Sequence, residues 1–444
     1  MLYAMLRLLV RAALRVFFRQ VAVKGLDRLP SRGPLLVAAN HPNTFMDPMA
    51  IAAYLRQPVY FLANGALFRN PWVARLMRLL HMVPIYRKQD LRPGEQADNE
   101  AVFEQCFAFL KEGGTLMIFP EGSSVQERKL RPLKTGAARI ALGAAARYGF
   151  GLPVQVAAVG LHYSAPSRFR SELVIDAAEP LAMPDWQARY EADPDAAVKA
   201  LTQQLALQLA SHTVVAHTPG EERLLEQLAG LLQTDRALQG QHDRAADRYG
   251  LEQQLAQALA YAQQHWPERF ERLSRRISAY YGYLGRLGLS DAHVAQGGDP
   301  GWKSGLLHLA LGMPLHIFGV LHHYLPYKIP YQVAKAITHE VEYHAPIMML
   351  AGMAAFPTSY ALYAWAAFAC LPPVGAALYL LALPAAGFYA LHYWGRWTAA
   401  RQYGRLRAVG LRRPAVAEGL VQYRKNLMNE LNTAKHDYLD ATGA

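Results

Sequence analysis

Only two cysteines, Cys106 and Cys370, occur in this 444-residue chain. That is too few for a disulfide framework, so a reducing compartment is expected. Charge is scarce too: 18% of residues are Asp, Glu, Lys or Arg, against about 25% in ordinary soluble domains. The scarcity is local. Residues 343–395 contain no Asp, Glu, Lys or Arg, which argues against a solvated surface there. There is no G-x-S-x-G elbow, which weighs against a serine lipase, and no repeat of fixed period, which sets aside a solenoid. In HEVEYH, 339–344, the histidines stand five positions apart. A zinc-protease helix needs four, and no metal or redox cofactor is expected.

The charge that is present lies at the ends. The net charge is +12, with six Lys/Arg against Asp27 in residues 1–28 and nine against four acids in residues 396–444. A nucleic-acid binder spreads a basic face over its folded domain; basic ends beside apolar segments suit an anionic membrane surface instead. No nucleic-acid partner is expected. Within residues 1–28, Arg7, Arg11, Arg15 and Arg19 recur one helical turn apart among Leu, Val, Ala and Phe. This is the pattern of an amphipathic membrane-interface helix. Docking on the protein's own core is the rival arrangement; a cleaved signal is disfavoured by the interrupting charges.

Residues 29–187 alternate strand and helix patterns, which argues for an α/β domain with a largely parallel sheet flanked by helices. Leu35–Ala39 is a buried-strand run that delivers Asn40 and His41 into a turn. Asp47 follows six positions after His41, and Pro42 and Pro48 flank the interval. On one unbroken helix the pair would stand about 120° apart, so the chain must bend for them to meet. If it does, the carboxylate orients the imidazole and fixes its tautomer. Two more strand ends carry polar residues: VPIYR ends in Arg87, and FPEGSS places Glu121, Gly122, Ser123 and Ser124 after Thr115–Phe119. Arg131 and Lys134 follow, the latter at the start of a helix. Guanidinium groups and helix N-termini are anion binders. In open α/β sheets such residues gather in the crevice at the carboxyl ends of the strands.

NHPNTFMDP, GALFRNP, VPIYR, FPEGSS and VAAVGLHYSAPSRFRSELVI resemble, in order, the motifs of the glycerolipid acyltransferases. VGLHYSAPSRFRSELVI and the later LPYKIPY are most similar to the yeast-type glycerol-3-phosphate/dihydroxyacetone-phosphate branch. The usual spacing in the family has four residues between His and Asp; here there are five. The resemblance implies that His41 is the general base toward an acceptor hydroxyl and that Asp47 supports it. It implies that Arg87, with Arg69, Arg131 and Lys134, grips an acceptor phosphate, and that Glu121, Gly122 and Ser123 shape the acceptor pocket. Acyl-CoA or acyl-carrier protein is the implied co-substrate.

Residues 188–300 read as a helical insert or linker, ending at the break Gly297-Gly298-Asp299-Pro300-Gly301. In 301–342 the apolar stretch holds Pro314 and His316, so an interfacial or re-entrant segment is expected. Residues 343–395 are long enough for two transmembrane helices, divided at Pro372-Pro373. The basic tail 396–444 then lies on the cytoplasmic side by positive-inside bias, and two crossings return the chain to the side of the catalytic domain. The expected function is a membrane acyltransferase acting on glycerol 3-phosphate, with lysophosphatidate as the alternative acceptor. The other classes are a catalytically silent lipid-binding protein and a thioesterase.

Overall fold

The computed structural model describes residues 2–79, 81–85, 99–241, 243–297 and 302–443. Arg87, and residues 298–301 of the glycine-rich break, lie outside them. The chain divides into two compact units, Met1–Val215 with Ile337–Met349, and Ala216–Ala336 with Leu350–Ala444.

The first unit is an α/β domain. Its elements are α1 Leu2–Phe17, β1 Gln20–Lys24, β2 Leu35–Ala39, α2 Met46–Tyr54, β3 Val59–Asn64, α3 Pro71–Leu79, β4 Met82–Ile85 and α4 Asn99–Lys111. They continue with β5 Thr115–Ile118, α5 Gly136–Arg147, β6 Gln155–Tyr163, β7 Glu172–Ala177, β8 Leu181–Ala182, α6 Gln187–Ala192 and α7 Pro194–Ser211. The sheet runs β1-β7-β6-β2-β5-β3-β4, with β8 on β6. From β6 to β4 every pairing is parallel, while β7 is antiparallel to β6. β2 sits inside this sheet, and all five of its residues are buried, as the uninterrupted apolar run requires. Leu36 packs into a core with Cys106 and Leu110 of α4, Ala141 and Leu142 of α5, and Leu201, Leu205 and Leu209 of α7. α7 therefore belongs to this unit rather than to a helical insert beginning at 188.

The amino terminus departs from expectation in two ways. The helix stops at Phe17, and Gln20–Lys24 is an edge strand parallel to β7, so 1–28 is not one interfacial helix. Two of the four periodic arginines also turn inward. Arg7 donates to the carbonyls of Leu55 and Arg56, and Arg11 donates to that of Ala53 and lies over the Tyr54 ring at 5.0 Å. They neutralise the carboxyl end of α2, where unpaired carbonyls carry partial negative charge. Arg19 pairs with Glu172. The outward face of α1 exposes Met5, Leu8, Leu9 and Val16, and Arg15 is exposed beside them.

The second unit contains α8 Pro219–Leu238, α9 Ala245–His265, α10 Pro267–Leu287 and α11 Asp291–Gln296. α12 Trp302–Ile337, α13 His344–Cys370, α14 Pro373–Arg412 and α15 Pro414–Thr442 follow, with the first six residues of α13 counted in the first unit. Leu224, Leu228 and Leu231 of α8, Ile277 and Tyr280 of α10, and Leu427 and Met428 of α15 share one core. The basic tail is thus packed, not free. Arg424 forks onto buried Asp291 at 2.8 and 3.1 Å.

Three helices, at Gly305–Ile337, Val341–Cys370 and Pro373–Arg412, are long and apolar enough to cross a membrane. The expected pair is among them, and α12 meets the same criterion of length and composition, so the parity argument for sidedness lapses. α12 runs unbroken through Pro314, Pro326 and Pro330. Proline frees the carbonyl four residues earlier. For Pro326 that carbonyl belongs to His322, and the Tyr363 hydroxyl donates to it at 2.7 Å. A neighbouring helix thereby supplies the bond the proline removes.

Candidate active site

β2, β5 and β6 are parallel neighbours, so their carboxyl ends open on the same edge of the sheet. Each contributes to one cluster there. Asn40, just past β2, is anchored to β6: its Nδ2 donates to the Leu161 carbonyl at 3.0 Å and its Oδ1 accepts from Leu161 N–H at 2.7 Å. His41 comes next, stacked on Phe119 with ring centroids 3.9 Å apart. The chain then turns through Thr44, whose φ of +38° lies in the left-handed region. This is the bend that the longer His–Asp interval needs. α2 starts at Met46, so Asp47 sits in its first turn, where a carboxylate is favoured by the helix dipole.

His41 Nδ1 lies 2.9 Å from Asp47 Oδ2. The same oxygen accepts from Asn43 N–H at 2.7 Å, and Oδ1 accepts from the Tyr163 hydroxyl at 2.7 Å. Asp47 is completely buried, so all three donors compensate one desolvated charge. Burial and the adjacent Asp47 charge push the Tyr163 hydroxyl well above its ordinary range, so it remains a donor. With three donors on the carboxylate, the Nδ1 proton is fixed, and Nε2 is the unprotonated nitrogen of the neutral ring. An imidazole held this way can accept a proton at Nε2 and have the resulting charge balanced at Nδ1.

Glu121 ties the second turn to the first. Its carboxylate accepts from His41 N–H at 3.0 Å and from Arg131 N–H at 3.2 Å. Burial raises its pKa, opposed by these two bonds. Gly122 has φ +74°, and a Cβ there would meet Lys134 Nζ at 2.5 Å. Only glycine combines that backbone with a lysine lying across it. Arg131 Nη1 donates to Ser123 Oγ at 2.8 Å. Thus Glu121, Gly122, Ser123, Arg131 and Lys134 form one group, joined to His41 through Glu121. Arg69 is exposed beyond the short turn Gly65–Phe68 that follows β3.

Tyr163 and Asn40 were absent from the expected site. Tyr163 closes an apolar strand and reads as core; Asn40 reads as a turn residue. Either is recognisable only once β6 is placed beside β2.

Residues 20–160 match the family model described as Acyltransferase. Over these residues the α/β domain is similar to the acyltransferase family, and the ordered motifs on β2, β5 and the first part of β6 fall within the match. An uncharacterized acyltransferase of Schizosaccharomyces pombe is 25% identical over 63% of this chain and 53% of its own length. Glycerol-3-phosphate O-acyltransferase 1 of Saccharomyces cerevisiae is 23% identical over 48% of this chain and 39% of its own. A chloroplastic 1-acyl-sn-glycerol-3-phosphate acyltransferase of Brassica napus is 30% identical over 28% of this chain and 34% of its own. The chain spans about half, or less, of the length of these curated relatives.

Proposed function

We propose that this protein is a membrane-associated O-acyltransferase that moves a fatty acyl group from an acyl thioester to a hydroxyl of glycerol 3-phosphate. The observation that carries the proposal is the 2.9 Å contact between His41 Nδ1 and a fully buried Asp47, beside a turn that carries Arg131 and Lys134. In the proposed reaction His41 Nε2 accepts the acceptor's hydroxyl proton as that oxygen attacks the thioester carbonyl. Asp47 balances the imidazolium. The tetrahedral adduct collapses, the C–S bond breaks, and the proton passes from His41 to the departing thiolate. The products are an ester and a free thiol. No acyl-enzyme is required, because the thioester is already activated.

Arg131 and Lys134, grouped with Glu121 beside His41, are proposed to receive the acceptor phosphate, with Arg87 as a further candidate. Glycerol 3-phosphate is favoured over lysophosphatidate because the similarity to the yeast glycerol-3-phosphate enzyme extends over 300 residues, whereas that to the Brassica lysophosphatidate enzyme covers 125. The donor is acyl-CoA or acyl-carrier protein. Arg396, Arg401, Arg405 and Arg407 support a cytoplasmic end of α14 by positive-inside bias.

The test is thiol release from one acyl-CoA by purified protein, with glycerol 3-phosphate, lysophosphatidate or no acceptor. Release only with glycerol 3-phosphate is expected, and His41→Ala should abolish it while leaving membrane association intact. Release without acceptor would identify a thioesterase; none with any acceptor would favour the silent lipid-binding alternative.

A further inference from the structure

The segment 338–344, which contains the HEVEYH stretch set aside above as a metal motif, packs on the His41–Asp47 turn. It joins α12 to α13 and belongs with the α/β domain. Internally it is a closed loop. Glu340 N–H donates to Thr338 Oγ1 at 3.1 Å, Tyr343 N–H donates to the Glu340 carbonyl at 3.2 Å, and His344 Nε2 stands 3.1 Å from the Thr338 carbonyl. Three contacts tie it to the site. Thr44 Oγ1 donates to the Glu342 carbonyl at 2.9 Å, the Phe45 and Tyr343 rings meet edge-on at 5.8 Å, and Gln126 Nε2 donates to the Val341 carbonyl at 3.4 Å.

Thr44 is the point where this matters. A β-branched residue at φ +38° is strained, and such conformations persist only where the surroundings over-determine them. Here they do. Thr44 N–H donates to Ser124 Oγ at 2.9 Å, its carbonyl accepts from Asp47 N–H at 3.3 Å, and its hydroxyl reaches Glu342. Two of those bonds come from the site itself; the third comes from a segment almost 300 residues away.

We propose that the 338–344 loop is a positioning element of the active site: through Thr44 it holds the left-handed bend that brings Asp47 back onto His41. The proposal rests on the acyltransfer function stated above. It assigns to Thr44 and to the Glu342 carbonyl a role in the geometry of the dyad rather than in contact with substrate. It also makes turnover depend on a turn far from the dyad in sequence, between α12 and α13.

The experiment compares Thr44→Val, Thr44→Ser and wild type in nanodiscs, measuring kcat and KM for glycerol 3-phosphate with saturating acyl-CoA. Thr44→Val keeps the branched shape but loses the donor; Thr44→Ser keeps the donor. Thr44→Val should lower kcat about tenfold, the size of one lost positioning hydrogen bond, with KM within about twofold. Thr44→Ser should recover most of kcat. Cysteines introduced as Phe45→Cys and Tyr343→Cys, in a Cys106→Ala, Cys370→Ala background, should cross-link with a short bifunctional thiol reagent, which checks proximity without reference to activity. Active wild type with an unaffected Thr44→Val, or with no cross-link, overturns the positioning role. Inactive wild type with an intact cross-link overturns the acyltransfer reading instead.

Discussion

Asp47→Asn is the substitution for which the structure makes the most particular forecast. The carboxylate accepts three hydrogen bonds, two at Oδ2 and one at Oδ1. An amide keeps one acceptor and gains one NH2 donor, so it has two orientations. With NH2 toward His41, the Asn43 N–H is left facing another donor, and the imidazole must move its proton to Nε2. A wrong tautomer of this kind costs about 10⁴ in kcat. With NH2 toward Tyr163, the hydroxyl rotates and accepts instead, and the tautomer survives. The second orientation keeps both the His41 and the Asn43 bonds, at the cost of the acceptor for the Tyr163 proton, and should dominate. What is then lost is the charge alone. Two unit charges about 4 Å apart in a partly solvated site interact by about 4 kcal/mol. Full proton transfer in the transition state would make that about 10³, and partial transfer about 10². Asp47→Asn should therefore lower kcat by about 10² to 10³, less than a tautomer flip would. Adding Tyr163→Phe removes the amide's hydrogen-bond partner, so the double variant should fall toward about 10⁴. The assay is acceptor-dependent thiol release at saturating substrates. An Asp47→Asn enzyme within about twofold of wild type would refute charge stabilisation by Asp47; a double variant no slower than Asp47→Asn would refute the orientation argument.

Other outcomes follow from the same geometry. Arg131→Ala should raise KM for glycerol 3-phosphate by about 10- to 100-fold, from the loss of one charge-assisted fork, with little change for an uncharged monoacylglycerol; equal effects on both acceptors would remove Arg131 from the phosphate site. Burial raises Glu121 above its ordinary value of 4.5, so its protonated form favours the folded state. That contribution is complete below the ordinary value and is lost as pH rises through the folded-state value. Thermal unfolding in detergent should show wild type losing ground to Glu121→Gln over that window, and a pH-independent gap would contradict it. Arg11→Ala should cost about 1–2 kcal/mol by removing the cation from the end of α2, read as a lower melting temperature; an unchanged melting temperature would show the contact to be idle.

The legible parts of this protein are those specified by neighbours in the chain. The apolar run of β2, the turn signals after it and the glycine of FPEGSS are local, and they suffice to place His41 and Glu121 just past strand ends, with Asp47 beyond the bend in the first turn of α2. What escaped is non-local. Tyr163 meets Asp47 across 116 positions, and nothing near either residue announces the other. The continuity of α12 is not legible either, because prolines signal breaks, while the hydroxyl that compensates for Pro326 lies on α13. The arginine period in α1 was correctly seen but assigned the wrong face, because periodicity gives a stripe without saying what it meets.

That reversed stripe sets how α1 can adhere to a bilayer. With Arg7 and Arg11 committed to carbonyls of their own domain, grip on a lipid leaflet would come from the aliphatic side chains at 5, 8, 9 and 16. The part of that grip supplied by the aliphatic side chains resists a high-salt wash, and only the exposed Arg15 adds a salt-sensitive share.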